Sequence, residues 1–315
     1  MDSKGSNSPN SLEPPASKAH PLNIAVFGGS FDPPHVGHLA IIEKALKELP
    51  IERLFVVPAF INPFKKGTLF PASLRLEWMR RLTKHHPEVA VIDFEIQKGC
   101  PTPTIETIRH LKEHYTPQNL YLIIGSDQLP DLPKWHLFEE LKKQVEFVII
   151  TREERAIPPN FRVIELNNPS SSTKIRTKDE EDSIPESIKG EVLSFMKNHK
   201  ESLLRKERAQ EIVEILDSKK AENIELFDLS GSDYLVDYVV IATALADKHA
   251  ASLLDTLKTE LKPKGETFYA TEESDNWIVT DLGDIMIHLF TENHRKKFNL
   301  EEFLAGLKKE RNRSL

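Results

Sequence analysis

The stretch GGSFDPPHVGHLA, from Gly28 to Ala40, concentrates the residue types that could do chemistry in this chain. It follows a short apolar run, Asn23–Phe27, and leads into Leu39, Ile42, Leu46 and Leu49, which recur at helical spacing until Pro50. A strand that ends in two glycines lets its backbone approach a ligand closely and turn sharply. The N–H groups at the start of the helix that follows make a ready anion site. Pro33 and Pro34 stiffen the approach and withhold two donors. His35 and His38 are three apart, so at a helix start they share a face, and Gly37 between them leaves room for phosphate oxygens. The combination predicts phosphate binding. Asp32, His35 and His38 offer too few ligands for a metal site. A Gly-x-Gly-x-x-Gly fingerprint is absent, which disfavours hydride transfer.

Such a loop needs a sheet to hold it. RLFVVPA, VAVIDFEI, NLYLIIGS and VEFVIIT read as further strands, with SLRLEWMRRLTKHH, TIETIRHLKEHY and HLFEELKKQ as helices among them. The alternation predicts an α/β unit with a parallel, Rossmann-like sheet, whose ligands bind beyond the carboxyl ends of the strands. SIKGEVLSFMKNHKESLL reads as the last helix of this unit, and RKERAQEIVEILDSKK begins a new pattern. NIELFDL and DYVVIAT follow as strands and DKHAASLLDTLKTEL as a helix. WIVTDLGDIMIHLF reads as a hairpin turning at Leu282-Gly283-Asp284, and NLEEFLAGLKK as a closing helix. The expected organisation is a polar, proline-rich disordered tail (1–20), a parallel-sheet domain (21–203) and a small mixed α/β domain (204–315).

Composition narrows the function classes. No run approaches the roughly 18 apolar residues of a membrane span. The single cysteine, Cys100, excludes an internal disulfide, so cytoplasmic residence is expected. Of the net charge of −7, residues 204–315 carry −6, with 16 Lys+Arg against 22 Asp+Glu. An acidic C-terminal part argues against direct nucleic-acid binding and would suit a basic protein partner. Charge alone favours no more than a solvated acidic surface.

The opening stretch resembles the signature of bacterial nicotinate-nucleotide adenylyltransferases, nucleotidyltransferases with a His-x-Gly-His motif. VPAFINPFKKG, CPTPTIETI, LIIGSDQLPDLPKW and SSSTKIR occur in the family's order, covering residues 23 to about 200. The resemblance implies a nucleotidyltransferase domain that joins ATP and nicotinate mononucleotide into deamido-NAD and pyrophosphate. It implies that His35 and His38 hold ATP phosphates, with Gly28, Gly29, Ser30 and Phe31 in the same ATP site. Ser171, Ser172, Thr173 and Arg176 would bind the triphosphate from the opposite side. Trp135 would stack on the nicotinate ring, Asp127 contact the nucleotide, Thr104 help read the nicotinate carboxylate and Lys65 lie near phosphates. Mg2+ would arrive with ATP, held by phosphates and water rather than by protein ligands. The chain departs from the family in Thr102-Pro103-Thr104, where Ser-Tyr-Thr is common, in Phe64, where His is frequent, and in a shorter segment from Arg176 to Pro185.

By its residues alone the C-terminal part reads as a binding module. His288 lies in an alternating strand and reads as structural, and Asp281 and Asp284 flank a turn. DYVVIATALADKHAASLLDTL and DNWIVTDLGDIMIHLFTENHRKKFNLEEF resemble the ribosomal silencing factor, or Iojap-related, family over about residues 207–304. That resemblance implies binding to the large ribosomal subunit through its protein fourteen and blocked subunit joining. Trp277, Asp281 and His288 match the family motif, with Trp277 as candidate interface anchor. Three readings stand at this point. One is a fused enzyme and translation silencer. Another is a ribosome-binding regulator with a weakly active nucleotide-sensing domain, and the third an enzyme with a C-terminal domain for self-association, such as a homodimer.

Overall fold

A computed structural model describes residues 22–151, 157–159, 161–166, 170–177 and 180–311. The expected tail, residues 1–20, lies outside the described residues. The chain forms two compact units, 1–193 and 194–315, beside the division near residue 204 expected from the sequence.

The elements of the first unit run β1 (Asn23–Gly29), α1 (Val36–Glu48), β2 (Arg53–Pro58), α2 (Ala72–Thr83), β3 (Val89–Val91), α3 (Phe94–Lys98), α4 (Thr104–Tyr115), β4 (Asn119–Gly125), α5 (Phe138–Leu141), β5 (Glu146–Thr151), β6 (Arg162–Glu165) and α6 (Ser172–Arg176). All six strands are parallel, in the order β3-β2-β1-β4-β5-β6. Both faces are covered, as parallel sheets require. Ala25, Phe27, Leu54, Val56 and Ile123 pack with Ile41 and Ile42 of α1 and Met79 of α2. The alternate residues Ile24, Val26, Phe55, Val57 and Leu122 pack with Ile105, Ile108 and Leu111 of α4. The strand order reverses between β1 and β4, and a crevice opens there beyond their carboxyl ends. The Rossmann-like α/β expectation is met.

Details differ from the sequence reading. VAVIDFEI forms a strand of only three residues, because Asp93 turns the chain out of the sheet. Its side chain takes hydrogen bonds from Arg80 (3.2 Å) and Gln97 (2.9 Å), and its carbonyl accepts the Gln97 N–H that opens α3. HLFEELKKQ gives only the four-residue α5, and β6 lay outside the sequence reading.

The chain passes into the second unit along α7 (Glu186–Ser218), a single helix where two were expected. From Glu191 to Ser218 there is neither Gly nor Pro to break it. Then come β7 (Glu222–Asp228), β8 (Tyr238–Ala244), α8 (Asp247–Leu261), β9 (Ala270–Ser274), β10 (Trp277–Asp281), β11 (Ile285–Thr291), α9 (Glu292–Phe298) and α10 (Leu300–Arg311). The sheet order is β7-β8-β11-β10-β9, with β8 and β11 parallel and the other pairs antiparallel, as a mixed α/β unit predicts. Val240, Ala242, Ile287 and Leu289 face Ile212 and Leu216 of α7 and Leu253, Leu254 and Leu257 of α8. Val239, Ile241 and Phe290 face Leu304 of α10. The hairpin turns at Gly283, whose φ of 94° suits glycine, and the Asp281 carboxylate accepts its N–H at 2.7 Å.

One buried charge organises the loops above the first sheet. Arg75, on α2, has no solvent exposure. It donates to the carbonyls of Phe70 (3.0 Å), Ala59 (2.8 Å), Phe60 (2.8 Å) and Ser30. Burial lowers its pKa, and the nearby Asp32 carboxylate opposes that shift. Replacing Arg75 with Met strands these carbonyls and is expected to cost at least about 3 kcal/mol of stability. Arg75→Lys, a point charge without the planar fork, should restore only part of it. Denaturant unfolding of the full chain measures both, and an unchanged Arg75→Met midpoint would refute the assignment.

Candidate active site

The crevice beyond β1 and β4 is a cleft of about 290 Å3. Its walls include Gly28, Gly29, Ser30 and His38 from the β1–α1 region, Lys65 after β2, Glu95 of α3, Thr102 to Thr104 at the start of α4, and Asp127 and Trp135 after β4. The strands end level, with Gly28 opposite Val57 and Gly29 opposite Pro58. At Gly29 a Cβ would sit 3.1 Å from the Phe31 ring, a tight contact that the ring would have to yield to. Phe31 itself holds a φ of 48°, an unusual backbone for a bulky residue, and is buried beneath the loop, outside the cleft wall.

The two histidines have different surroundings. His35 is the extended N-cap of α1, 2 % exposed, and is not part of the cleft wall. Its ring stacks on His38 with centroids 3.7 Å apart. His38 faces the cleft, and its Nδ1 accepts the His35 backbone N–H at 3.1 Å. In the neutral ring Nε2 therefore carries the proton and is the donor. Phe31 meets the His38 ring edge-on at 4.9 Å, which fixes its orientation further.

Asp32 is a structural clamp. Its carboxylate accepts the N–H groups of Leu69 (3.1 Å) and Phe70 (2.9 Å). Arg176 reaches the same carboxylate at 3.3 Å and also bonds to the Asp32 carbonyl. Ser172 donates to the Pro33 carbonyl at 2.9 Å, and Thr173 accepts from Arg176 at 3.2 Å. The Ser171 N–H, at the start of α6, is bonded to the Glu180 carboxylate at 3.0 Å. The structure thus brings Ser172 and Arg176 onto the β1–α1 loop, while Ser171, Ser172, Thr173 and Arg176 all stand outside the cleft wall.

Lys65 donates to the Ser30 hydroxyl at 3.3 Å. Burial, and then the Arg176 guanidinium, lower its pKa, while Asp32 and Asp127 pull the other way. Asp127 sits in a turn directly after β4, folded back so closely that a Cβ on Gly125 would collide with its carboxylate. Trp135 lines the cleft, and its Nε1 has no hydrogen-bond partner among the described residues. Glu95 and Arg75 escaped the sequence reading. A Glu alternating with apolar residues in a strand-like run and an Arg on an amphipathic helix both look like surface residues, and no local pattern marks them. Among the described residues no three His, Cys, Asp or Glu side chains converge as a metal-ion cage. No helix among them is long and apolar enough to cross a membrane.

In the second unit Trp277 is half-buried. Its ring stacks on Phe290 (5.2 Å) and meets Phe298 (5.4 Å), which is 49 % exposed. Its Nε1–H donates to His288 Nδ1 at 3.2 Å. Asp281 is placed in the hairpin turn, not beside Trp277's indole bond. Burial pushes the His288 imidazole down to about 4, with Glu301 opposing. Its Nε2 is buried with no hydrogen-bond partner among the described residues.

A six-stranded parallel sheet with a His-x-Gly-His turn at its switch point, facing a cleft, defines a nucleotidyltransferase. A family model described as "Cytidylyltransferase-like" matches residues 26–178. A "Probable nicotinate-nucleotide adenylyltransferase" of Nitratiruptor sp. is 42% identical over 177 residues, 56% of this chain and 100% of the relative. A protein of the same name from Campylobacter jejuni is 42% identical over 174 residues, 55% of this chain and 96% of the relative. The chain belongs to the nicotinate-nucleotide adenylyltransferase family. The model described as "Ribosomal silencing factor during starvation" matches residues 202–314, so that domain is fused behind the enzyme. Among solved structures, the Plasmodium falciparum nicotinic acid mononucleotide adenylyltransferase complexed with NaAD is 22% identical, covering 57% of this chain and 96% of its own, with a TM-score of 0.46.

The His288 geometry sets a pH dependence. Because its folded value lies below the ordinary 6.5, the stability it contributes is complete above pH 6.5 and is lost as the pH falls through about 4. The expected loss is on the order of 3 kcal/mol. His288→Gln, which retains an acceptor for Trp277, should flatten it. Calorimetric unfolding of the full chain between pH 7 and 4 decides, and an equally steep variant would remove His288 as the cause.

Proposed function

We propose that the first unit transfers the adenylyl group of ATP to nicotinate mononucleotide. A phosphate oxygen of the mononucleotide attacks the α-phosphorus, the bond from that phosphorus to the bridging oxygen breaks, and pyrophosphate leaves with the electron pair. No covalent enzyme intermediate is needed, so the protein positions the reactants and stabilises developing charge. The observation that carries this reading is one cleft whose wall brings together His38, the Gly28–Ser30 backbone, Thr104, Asp127 and Trp135.

On this reading His38 Nε2–H donates to ATP phosphate, with His35 stacked behind it as support. Gly28, Gly29 and Ser30 give backbone approach, and Phe31 shapes the loop from beneath. Lys65 adds a cation, its partner Ser30 lying at the phosphate end. Ser171, Ser172, Thr173 and Arg176 form the far side of the phosphate site, where phosphate would displace the Glu180 carboxylate from the Ser171 N–H. Thr104, at the start of the twelve-residue α4 where it lines the cleft, faces the nicotinate carboxylate, while Trp135 stacks on the ring and Asp127 holds the nucleotide. Mg2+ enters as MgATP, bound by phosphate oxygens and water.

The second unit binds the large ribosomal subunit through its protein fourteen and hinders subunit joining, with Trp277 as anchor and Asp281 shaping the adjoining turn. Its acidic charge complements a basic ribosomal surface. Both activities place the protein in the cytoplasm.

His38→Ala should lower adenylyl transfer at least about a hundredfold, the scale of losing one charge-stabilising donor. Near-normal steady-state rates would dispose of its phosphate role. Trp277→Ala should weaken co-sedimentation with large subunits by more than about 1 kcal/mol. Unchanged affinity in a variant with native circular dichroism would exclude it as an anchor.

A further inference from the structure

Glu95 is a charged residue in a place where charge is costly. It is 8 % exposed and forms part of the cleft wall beside Thr102, Pro103 and Thr104. Its Oε1 accepts the Thr107 hydroxyl at 2.7 Å. Thr107 lies three residues after Thr104, on the same face of α4, so the Glu95 carboxyl is held one turn from the helix start that lines the cleft. A tie to Thr107 needs only an acceptor, which an amide would supply without an ionisable group.

We propose that Glu95 sets the choice between the acid and amide forms of the mononucleotide, donating to the substrate carboxylate when protonated, and repelling it but accepting from a carboxamide when ionised. This rests on the reading that the cleft binds nicotinate mononucleotide. Burial raises the Glu95 carboxyl from 4.5 to about 7, against the Thr107 hydrogen bond and Lys98, and with the help of Glu106. Both forms are therefore present near neutrality. The charged groups around it come from each neighbouring element. Lys98 on α3 is ion-paired with Glu106 on α4, Arg80 on α2 with Asp93, and Lys65, Asp127, His38 and His136 line the rest of the cleft. The dock here carries Thr102-Pro103-Thr104, with no tyrosine hydroxyl to fix the carboxylate, so the neighbouring carboxyl weighs more heavily.

The test measures kcat/KM of the full chain for nicotinate mononucleotide and nicotinamide mononucleotide between about pH 5.5 and 8.5. Both substrates share a phosphate that titrates near about 6, so its contribution cancels in their ratio. The expected acid-to-amide ratio falls about tenfold or more as the pH rises through about 7, mainly through KM. Glu95→Gln should flatten the ratio by removing the pH dependence from KM. Thr107→Val, which removes a hydrogen bond favouring the ionised form, should move the midpoint upward. A wild-type slope that persists in Glu95→Gln would overturn the proposal while leaving the assigned reaction intact. Failure of both mononucleotides to react would overturn the assigned reaction, and this proposal with it.

Discussion

The Arg75 guanidinium is the interaction on which the cleft depends. A parallel sheet delivers its strand ends side by side, but the loops beyond them carry carbonyls that the sheet cannot satisfy. Arg75 takes four of these, from Ser30 after β1, Ala59 and Phe60 after β2, and Phe70 before α2. Asp32 takes the complementary donors, the N–H groups of Leu69 and Phe70. A buried cation and a buried anion thus hold three loop segments to one another. Only a planar fork with five N–H donors can serve that many carbonyls from one side chain.

Around that scaffold the cleft wall combines strand-end backbone, one oriented imidazole and a lysine with a helix start, an indole and two carboxylates, Glu95 and Asp127. The carboxylates differ in their surroundings. Asp127 is in a turn with Gln128 donating to it at 2.8 Å, whereas Glu95 is buried against α4. Burial without a cation partner raises a carboxyl towards neutrality, which is how a protein keeps a titratable donor at working pH.

The second unit spends its buried polar groups differently. Arg295, 9 % exposed, ties Thr243 (2.8 Å) and Glu225 (3.0 Å) together, locking α9 to β7 and β8. Arg208 joins α7 to Asp284 at 2.7 Å and to Glu266. With these ends fixed, Trp277, His288, Phe290 and Phe298 stack into one aromatic group, of which Phe298 is half exposed. Most of the ring surface in this group is already packed, so these side chains have little conformational freedom left to lose.

Local chemistry made much of this legible in advance. The glycines, prolines and histidines of Gly28–Ala40 act on one another within a few residues, so their order alone marked the strand-to-helix turn that lines the cleft. Period-2 and period-3.6 patterns gave the parallel sheet, and Gly283 between two apolar runs gave the hairpin. Spacing suggested equal roles for His35 and His38. The tertiary structure separated them, because His35 is the extended N-cap and stacks behind its neighbour. Spacing could not show which elements cover α7, since Ile212 and Leu216 are buried beneath a sheet formed later in the chain. Nor could it show Arg75 or Glu95 as interior residues. Their partners are backbone carbonyls and a threonine brought near only by folding, and whether a charged side chain is solvated or buried is decided by what the fold places around it.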